Sequence, residues 1–242
     1  EATGYGAVYY LENVLKHDGE DIKGKTIAAA GFGNVCWGIC KKAAELGAKV
    51  VTLSGPDGYI YDPDGVTTEE KINYLLEMRA SGRNVVKDYA DKFGVEFHAG
   101  EKPWGVKADI IMPSAMQNDV HMKEAEQIVA NGIRYYIEVA NMPTTNDALK
   151  FLMAQPNMVV APSKAVNAGG VSVSALEMSQ NSERLVWTEK EVDDRLHEIM
   201  NTIYQNSVDA AERNGLGYNL VAGANIAGFE RVADAMLQQG VF

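Results

Sequence analysis

Apolar residues fall into two alternating patterns along the chain. Val8, Leu11, Val14 and Leu15 recur at helical spacing and predict a helix over residues 5–17. The run Thr26-Ile27-Ala28-Ala29-Ala30, ended by Gly31, reads as a short buried strand. A helix over 34–46 closes at Gly47, in the position where a glycine ends helices, and a second strand covers 49–53. Residues 54–65 are rich in glycine and proline, with Tyr59-Ile60-Tyr61 as an extra strand. Thr67 and Glu70 form a capping box for a helix reaching about residue 81, and a further helix over 85–93 stops at Gly94. Strands follow at 95–97, 110–112, 135–139 and 158–161, with helices at 123–130 and 146–154. From Val171 onward the pattern is helical only, over 171–179, 189–213 and 226–238.

Strands alternating with helices of this length predict an α/β fold, with a mostly parallel sheet covered on both faces and right-handed crossovers. The helical C-terminal third has too few elements for a core of its own. It is expected to pack on the sheet, so that residues 1–242 form a single domain.

Charge narrows the partners. The 242 residues carry 22 Lys+Arg against 33 Asp+Glu, a net charge of -11, which suits neither nucleic acid nor an anionic membrane. No apolar run approaches the ~20 residues of a membrane span. The start, Glu1-Ala2-Thr3-Gly4-Tyr5-Gly6, lacks the basic and apolar segments of a signal peptide and an initiator Met, and reads as a cut from a longer chain. Cys36 and Cys40, four apart on one predicted helix, have no further metal ligands near them in sequence and are too few for a disulfide framework. They read as buried thiols in a reducing cytoplasm. The four histidines, His17, His98, His121 and His197, are scattered, and neither metal nor catalytic work is expected of them.

Two stretches look like phosphate loops. Residues 19–26, Gly-Glu-Asp-Ile-Lys-Gly-Lys-Thr, match G-x-x-x-x-G-K-[ST] letter for letter. The context is wrong, because a helix precedes the loop and a strand follows, whereas a P-loop follows a strand and opens a helix. Gly31-Phe32-Gly33-Asn34-Val35-Cys36 has the right context. It leaves a strand and opens a helix, as the G-x-G-x-x-G dinucleotide fingerprint does, with Cys36 as the small third residue. Dinucleotide binding is therefore expected here. Beyond the second strand, residues 54–70 hold Asp57, Asp62, Asp64, Glu69 and Glu70 and no Lys or Arg. A carboxylate ~5 Å from an extra phosphate charge costs about 3 kcal/mol at an effective dielectric near 20, so NAD is expected in preference to NADP.

Several motifs together resemble the hexameric glutamate dehydrogenases: Glu1-Ala2-Thr3-Gly4-Tyr5-Gly6, Gly31-Phe32-Gly33-Asn34-Val35, Ala140-Asn141-Met142-Pro143-Thr144, Ala165-Val166-Asn167-Ala168-Gly169-Gly170-Val171 and Gly223-Ala224-Asn225-Ile226-Ala227-Gly228-Phe229. Leu53-Ser54-Gly55-Pro56-Asp57-Gly58-Tyr59 resembles the NAD-dependent bacterial branch. The resemblance runs through the whole chain but covers only the cofactor-binding half of such enzymes. It implies a Rossmann-like doubly wound fold, NAD as cofactor, L-glutamate and 2-oxoglutarate as substrates of the full enzyme, a homohexamer and a cytoplasmic location. It implies cofactor contacts from Thr3, Gly31, Phe32, Gly33, Asn34, Val35, Pro56, Asp57, Ala115, Asn141 and Asn167. Asn167, Val171 and Ser174 are implied to face the substrate, with the Ser174 hydroxyl donating to its far carboxylate. No catalytic residue is implied in this chain, because the catalytic lysine and aspartate of such enzymes lie in their other domain. Ser114 and Met116 depart from the Cys and Thr usual in the family. Two other readings stand beside this one: the cofactor domain of a leucine- or phenylalanine-type dehydrogenase, and a non-enzymatic NAD-binding module.

Overall fold

The structure, a computed structural model, describes residues 1–240; the last two residues of the expected domain lie outside it. In chain order the elements are α1 (Ala2–His17), β1 (Thr26–Ala30), α2 (Asn34–Glu45), β2 (Lys49–Gly55), β3 (Gly58–Tyr61), α3 (Glu69–Ala80), α4 (Lys87–Phe93), β4 (Glu96–Ala99), a 3-10 turn (Pro103–Gly105), β5 (Ile110–Pro113), α5 (Met122–Ala130), β6 (Tyr135–Ile137), α6 (Asn146–Met153), β7 (Val159–Ala161), α7 (Ser163–Val166), α8 (Gly169–Glu183), α9 (Glu189–Arg213) and α10 (Leu220–Gln239).

The strands form one seven-stranded sheet in the order β4-β3-β2-β1-β5-β6-β7. From β2 through β1 and β5 to β7 the pairing is parallel, while β3 and β4 add an antiparallel edge. Side-chain alternation sorts the core into two layers. Ile27, Ala29, Ile110, Met112, Tyr135 and Ile137 point into one, with α1 and α2. Ala28, Ala30, Ile111 and Tyr136 point into the other, with Trp104, α5 and α6. Strands buried on both faces read as continuous apolar runs rather than alternating ones, which is why the β1 run stands out in the sequence.

The C-terminal helices pack against α1. The Tyr9 hydroxyl donates to Asp193 of α9 at 2.7 Å, and Asn13 to Asn201 at 2.7 Å. At its start α1 is wedged between α2 and α8 by glycines. A Cβ on Gly4 would sit 2.3 Å from the Val35 carbonyl oxygen, and one on Gly169 2.3 Å from that of Ala2. Only residues without side chains allow that approach.

Several boundaries differ from the sequence expectation. Helix α1 begins at Ala2 rather than residue 5, because the tight packing holds Gly4 and Gly6 helical. The cap of α3 is Thr68, whose hydroxyl accepts the Lys71 N–H at 3.3 Å; Thr67 instead donates toward the Asp64 carbonyl. Asn219 caps α10, which starts six residues before the expected 226. The segment expected as one helix from Val171 is preceded by α7 and begins at Gly169. Among the described residues no helix is long and apolar enough to cross a membrane.

Candidate functional site

Chain order reverses at β1, which has β2 on one side and β5 on the other, and ligands of doubly wound sheets settle outside the carboxyl ends of strands at that switch. Gly31 turns the chain there at φ +115°, a backbone that L side chains rarely adopt. The Ser54 hydroxyl accepts the Gly31 N–H at 2.9 Å and locks this turn to the end of β2. Gly33 then precedes α2, which has no side-chain cap, and a Cβ at Gly33 would meet nothing within 4 Å. The N–H groups of the first turn, from Asn34 and Val35, are thus available to an anion, and the helix dipole adds to the attraction. Cys36 is buried beneath them, small enough for the third fingerprint position.

Beside this turn lies a cleft of about 700 Å³ lined by Thr3, Val35, Ser114, Ala115, Gln117, Val139, Ala140, Asn141, Asn167, Gly170 and Val171. The fold brings together six of the expected residues here, from α1, α2, α8 and three strand-end loops. The Asn167 side-chain amide donates to the Val139 carbonyl at 3.1 Å and to Asn141 Oδ1 at 2.7 Å. With both Asn167 protons so used, the pair retains a free carbonyl oxygen on Asn167 and a free amide group on Asn141. One donor and one acceptor side by side complement a carboxamide. No lining residue is ionisable, so this cleft by itself can neither move a proton nor grip a carboxylate.

Phe32 and Gly33 line a second cleft, of about 520 Å³, with Leu76, Met78, Arg79, Ala80, Gly82 and Asn84. Arg79 and Asn84 escape sequence reading, because α3 brings them back from some twenty-five residues beyond β2. Pro56 is exposed at the β2–β3 turn. Asp57 beside it is committed to the backbone: its two carboxylate oxygens accept the Val86 and Lys87 N–H groups, each at 2.9 Å, at the start of α4.

The acidic crowding expected at the end of β2 is not there. Strand β3 runs antiparallel and carries the chain back, so Asp62 bonds through its N–H to Val51 and Val66 to Val50, at the opposite end of β2. Asp62 is buried there against Lys71 at 2.6 Å and the Tyr89 hydroxyl at 2.9 Å. Of these acids Asp57 stays at the crevice end, at the β2–β3 turn, where the Lys102 ammonium lies 3.5 Å from the Gly55 carbonyl.

Val171 stands at the lip of the first cleft, 71% exposed. Ser174, one turn further along α8, is exposed and donates to the Gly170 carbonyl at 3.1 Å. It is outside the cleft lining. The histidines are engaged elsewhere: His17 stacks on Tyr218 and His98 on Tyr59, His197 packs at a tilt against Tyr9, and His121 caps α5. Among the described residues no group of three or more His, Cys, Asp or Glu is arranged to hold a metal.

The chain is 73% identical over 241 residues to the NAD-specific glutamate dehydrogenase of Clostridium symbiosum, covering all of this chain and 54% of that protein. It is 46% identical to the NADP-specific glutamate dehydrogenase of Escherichia coli (strain K12), covering all of this chain and 53% of that one. A solved glutamate dehydrogenase structure superposes with a TM-score of 0.98 at 72% identity, over 99% of this chain and 54% of that chain. The chain thus spans about half the length of the relatives it matches. The family model described as Glutamate/Leucine/Phenylalanine/Valine dehydrogenase matches residues 1–240, and the chain belongs to that family.

Proposed function

We propose that this chain is the dinucleotide-binding half of an NAD-dependent glutamate dehydrogenase, a single domain over residues 1–242. The whole enzyme converts L-glutamate, water and NAD to 2-oxoglutarate, ammonium and NADH. The observation that carries the reading is the uncharged crevice at the carboxyl ends of β1 and β5. It has the uncapped start of α2 on one side and the Asn141–Asn167 pair on the other. The relative at 73% identity is NAD-specific, which supports NAD as the cofactor. The homohexamer and the cytoplasmic location are carried over from the family resemblance.

When bound, the cofactor supplies one chemical capacity, acceptance of a hydride from the substrate carbon. The residues of this chain hold and orient it. Gly31, Phe32, Gly33, Asn34 and Val35 receive the pyrophosphate, and Phe32, Pro56 and Asp57 border the adenosine. Thr3, Ala115, Asn141 and Asn167 surround the nicotinamide and its ribose. Val171 and Ser174 extend from the same lip toward the substrate side chain. The groups that ionise, move protons and hold two substrate carboxylates belong to the part of the enzyme outside these residues.

A leucine- or phenylalanine-type enzyme is the competing reading within the family. The Ser174 hydroxyl argues for glutamate, because a pocket for an apolar side chain needs no hydroxyl at its lip. Calorimetric titration of the chain with NADH is the test, with saturable binding expected. The absence of heat at millimolar NADH overturns the reading, and it leaves the non-enzymatic NAD module equally without support.

A further inference from the structure

Glu138 follows β6 directly and is 4% exposed. Its Oε2 accepts the backbone N–H of Ser163, the first residue of α7, at 3.1 Å. The Thr144 hydroxyl, which shares a 2.7 Å hydrogen bond with the Tyr136 hydroxyl, also supports this carboxylate. Asn167 caps the end of α7, and the loop between Glu138 and Thr144 carries Asn141. One buried carboxylate therefore ties together the two segments that bring Asn141 and Asn167 within 2.7 Å of each other.

That loop needs such a tie. Met142 sits at φ +47° and Asn118 at φ +53°, sparsely populated backbone that persists only where the surroundings hold it. The two are joined by the Asn118 N–H donating to the Met142 carbonyl at 3.0 Å. Glu138 itself lines a neighbouring cleft with Met142, Thr144, Ser163 and Lys164 rather than the crevice. Any influence it has on a ligand in the crevice passes through other residues.

We infer that Glu138 is a positioning residue for the nicotinamide end of the crevice, holding the Asn141–Asn167 pair in register without touching cofactor or substrate. The inference rests on the proposed reading of the crevice as a dinucleotide site. An alanine at 138 leaves the Ser163 N–H buried without an acceptor and frees α7 from the loop. A glutamine keeps the arrangement: its carbonyl oxygen accepts from Ser163, and its amide donates to the Thr144 hydroxyl, which has lone pairs to spare.

The test compares NADH with ADP-ribose, which shares the adenosine and pyrophosphate but lacks the nicotinamide. Both are titrated by calorimetry into the unsubstituted protein and the variants Glu138→Ala, Glu138→Gln and Thr144→Val. NADH affinity is expected to fall about tenfold in Glu138→Ala and Thr144→Val, the equivalent of one lost hydrogen bond. ADP-ribose affinity is expected to stay within roughly twofold, and Glu138→Gln to bring NADH back within roughly threefold of the unsubstituted protein. Equal losses for both ligands, or unchanged NADH affinity in Glu138→Ala, overturn the inference. If Glu138→Ala does not fold, unchanged NADH affinity in Thr144→Val overturns it. Failure of the dinucleotide reading is separately visible, because the unsubstituted protein then binds neither ligand.

Discussion

Asp57 has two jobs that substitution can separate. Its carboxylate accepts the N–H groups of Val86 and Lys87 at 2.9 Å each, and Val86 is fully buried. Losing that cap costs about 1–2 kcal/mol, at the upper end for helix N-caps because two amides are involved. For a chain of this size that is a fall of about 3–6 °C in melting temperature. The same carboxylate lies at the crevice end of β2. A bare carboxylate ~5 Å from a 2′-phosphate costs about 3 kcal/mol. The two N–H dipoles and the start of α4 offset about half of the charge, which leaves ~1.5 kcal/mol, or roughly tenfold discrimination against NADP. Asp57→Ser removes the charge and keeps one capping bond, while Asp57→Ala removes both. The serine variant should gain about tenfold in NADPH affinity relative to NADH and melt close to the parent; the alanine variant should show the same gain and melt several degrees lower. Fluorescence titration with the two reduced cofactors, paired with thermal melts, reads both. An unchanged NADPH-to-NADH ratio in Asp57→Ser refutes the electrostatic role, and an unchanged melt in Asp57→Ala refutes the capping role.

In the complete enzyme, Ser174→Ala should lose on the order of 1.5–3 kcal/mol of interaction with the substrate carboxylate. The loss is expected in steady-state kinetics with glutamate and not in NAD affinity. Asp193→Ala should destabilise the chain by ~2–3 kcal/mol in urea unfolding. It strips Lys42, only 6% exposed, of one of two carboxylate partners, with Glu45 at 2.6 Å remaining, and removes the acceptor of the Tyr9 hydroxyl. Burial raises the Glu138 carboxyl above its ordinary 4.5 despite the opposing pull of Thr144, the Ser163 N–H and Lys164. A raised acid favours the folded state while protonated, so its contribution is full below pH ~4.5 and is lost as pH rises through the raised value. Stability of the parent measured against Glu138→Gln should therefore decline over that window; a flat difference contradicts it.

What the sequence could reveal followed from local chemistry. The β1 run is apolar on both faces, so Ile27 and Ala29 serve one layer of the core while Ala28 and Ala30 serve the other, and the strand is plain without tertiary information. The fingerprint turn is equally local, since Gly31 needs its positive φ whatever else the chain does. Spatial order was harder to read. Gly4 and Gly6 look like helix breakers, each unfavourable by about 1 kcal/mol in isolation, and only the contact with α2 and α8 makes them helical. Asp62 and Asp64 follow β2 closely in sequence, yet the antiparallel β3 returns them to its beginning. Arg79 illustrates the reverse, distant in sequence yet lining the second cleft with Phe32 and Gly33. The Asn141–Asn167 pair was reachable as two strand-end loops, but the buried Glu138 behind it gives no sequence signal beyond an acid at the end of an apolar strand.

Residues 1–242 alone should not oxidise glutamate, and the reason is electrostatic. The substrate carries two carboxylates and an ammonium, and hydride transfer requires it to be held within about 3–3.5 Å of the acceptor carbon. The cleft beside Asn141 and Asn167 offers hydroxyl, amide and apolar groups but no ionisable side chain, and Val171 at its lip is 71% exposed. Ser174, outside the cleft lining, can supply one hydrogen bond toward one carboxylate only by giving up its bond to the Gly170 carbonyl, and nothing in the crevice answers the other or removes a proton from the ammonium. Water also has free access to the exposed lip, so charges there interact through a high dielectric and are held weakly. The expected outcome is saturable NADH binding with no absorbance gain at 340 nm when the chain is incubated with NAD and glutamate. NADH formation by chain purified free of full-length enzyme would refute the reasoning, since a proton acceptor and a carboxylate grip would then have to exist within these residues.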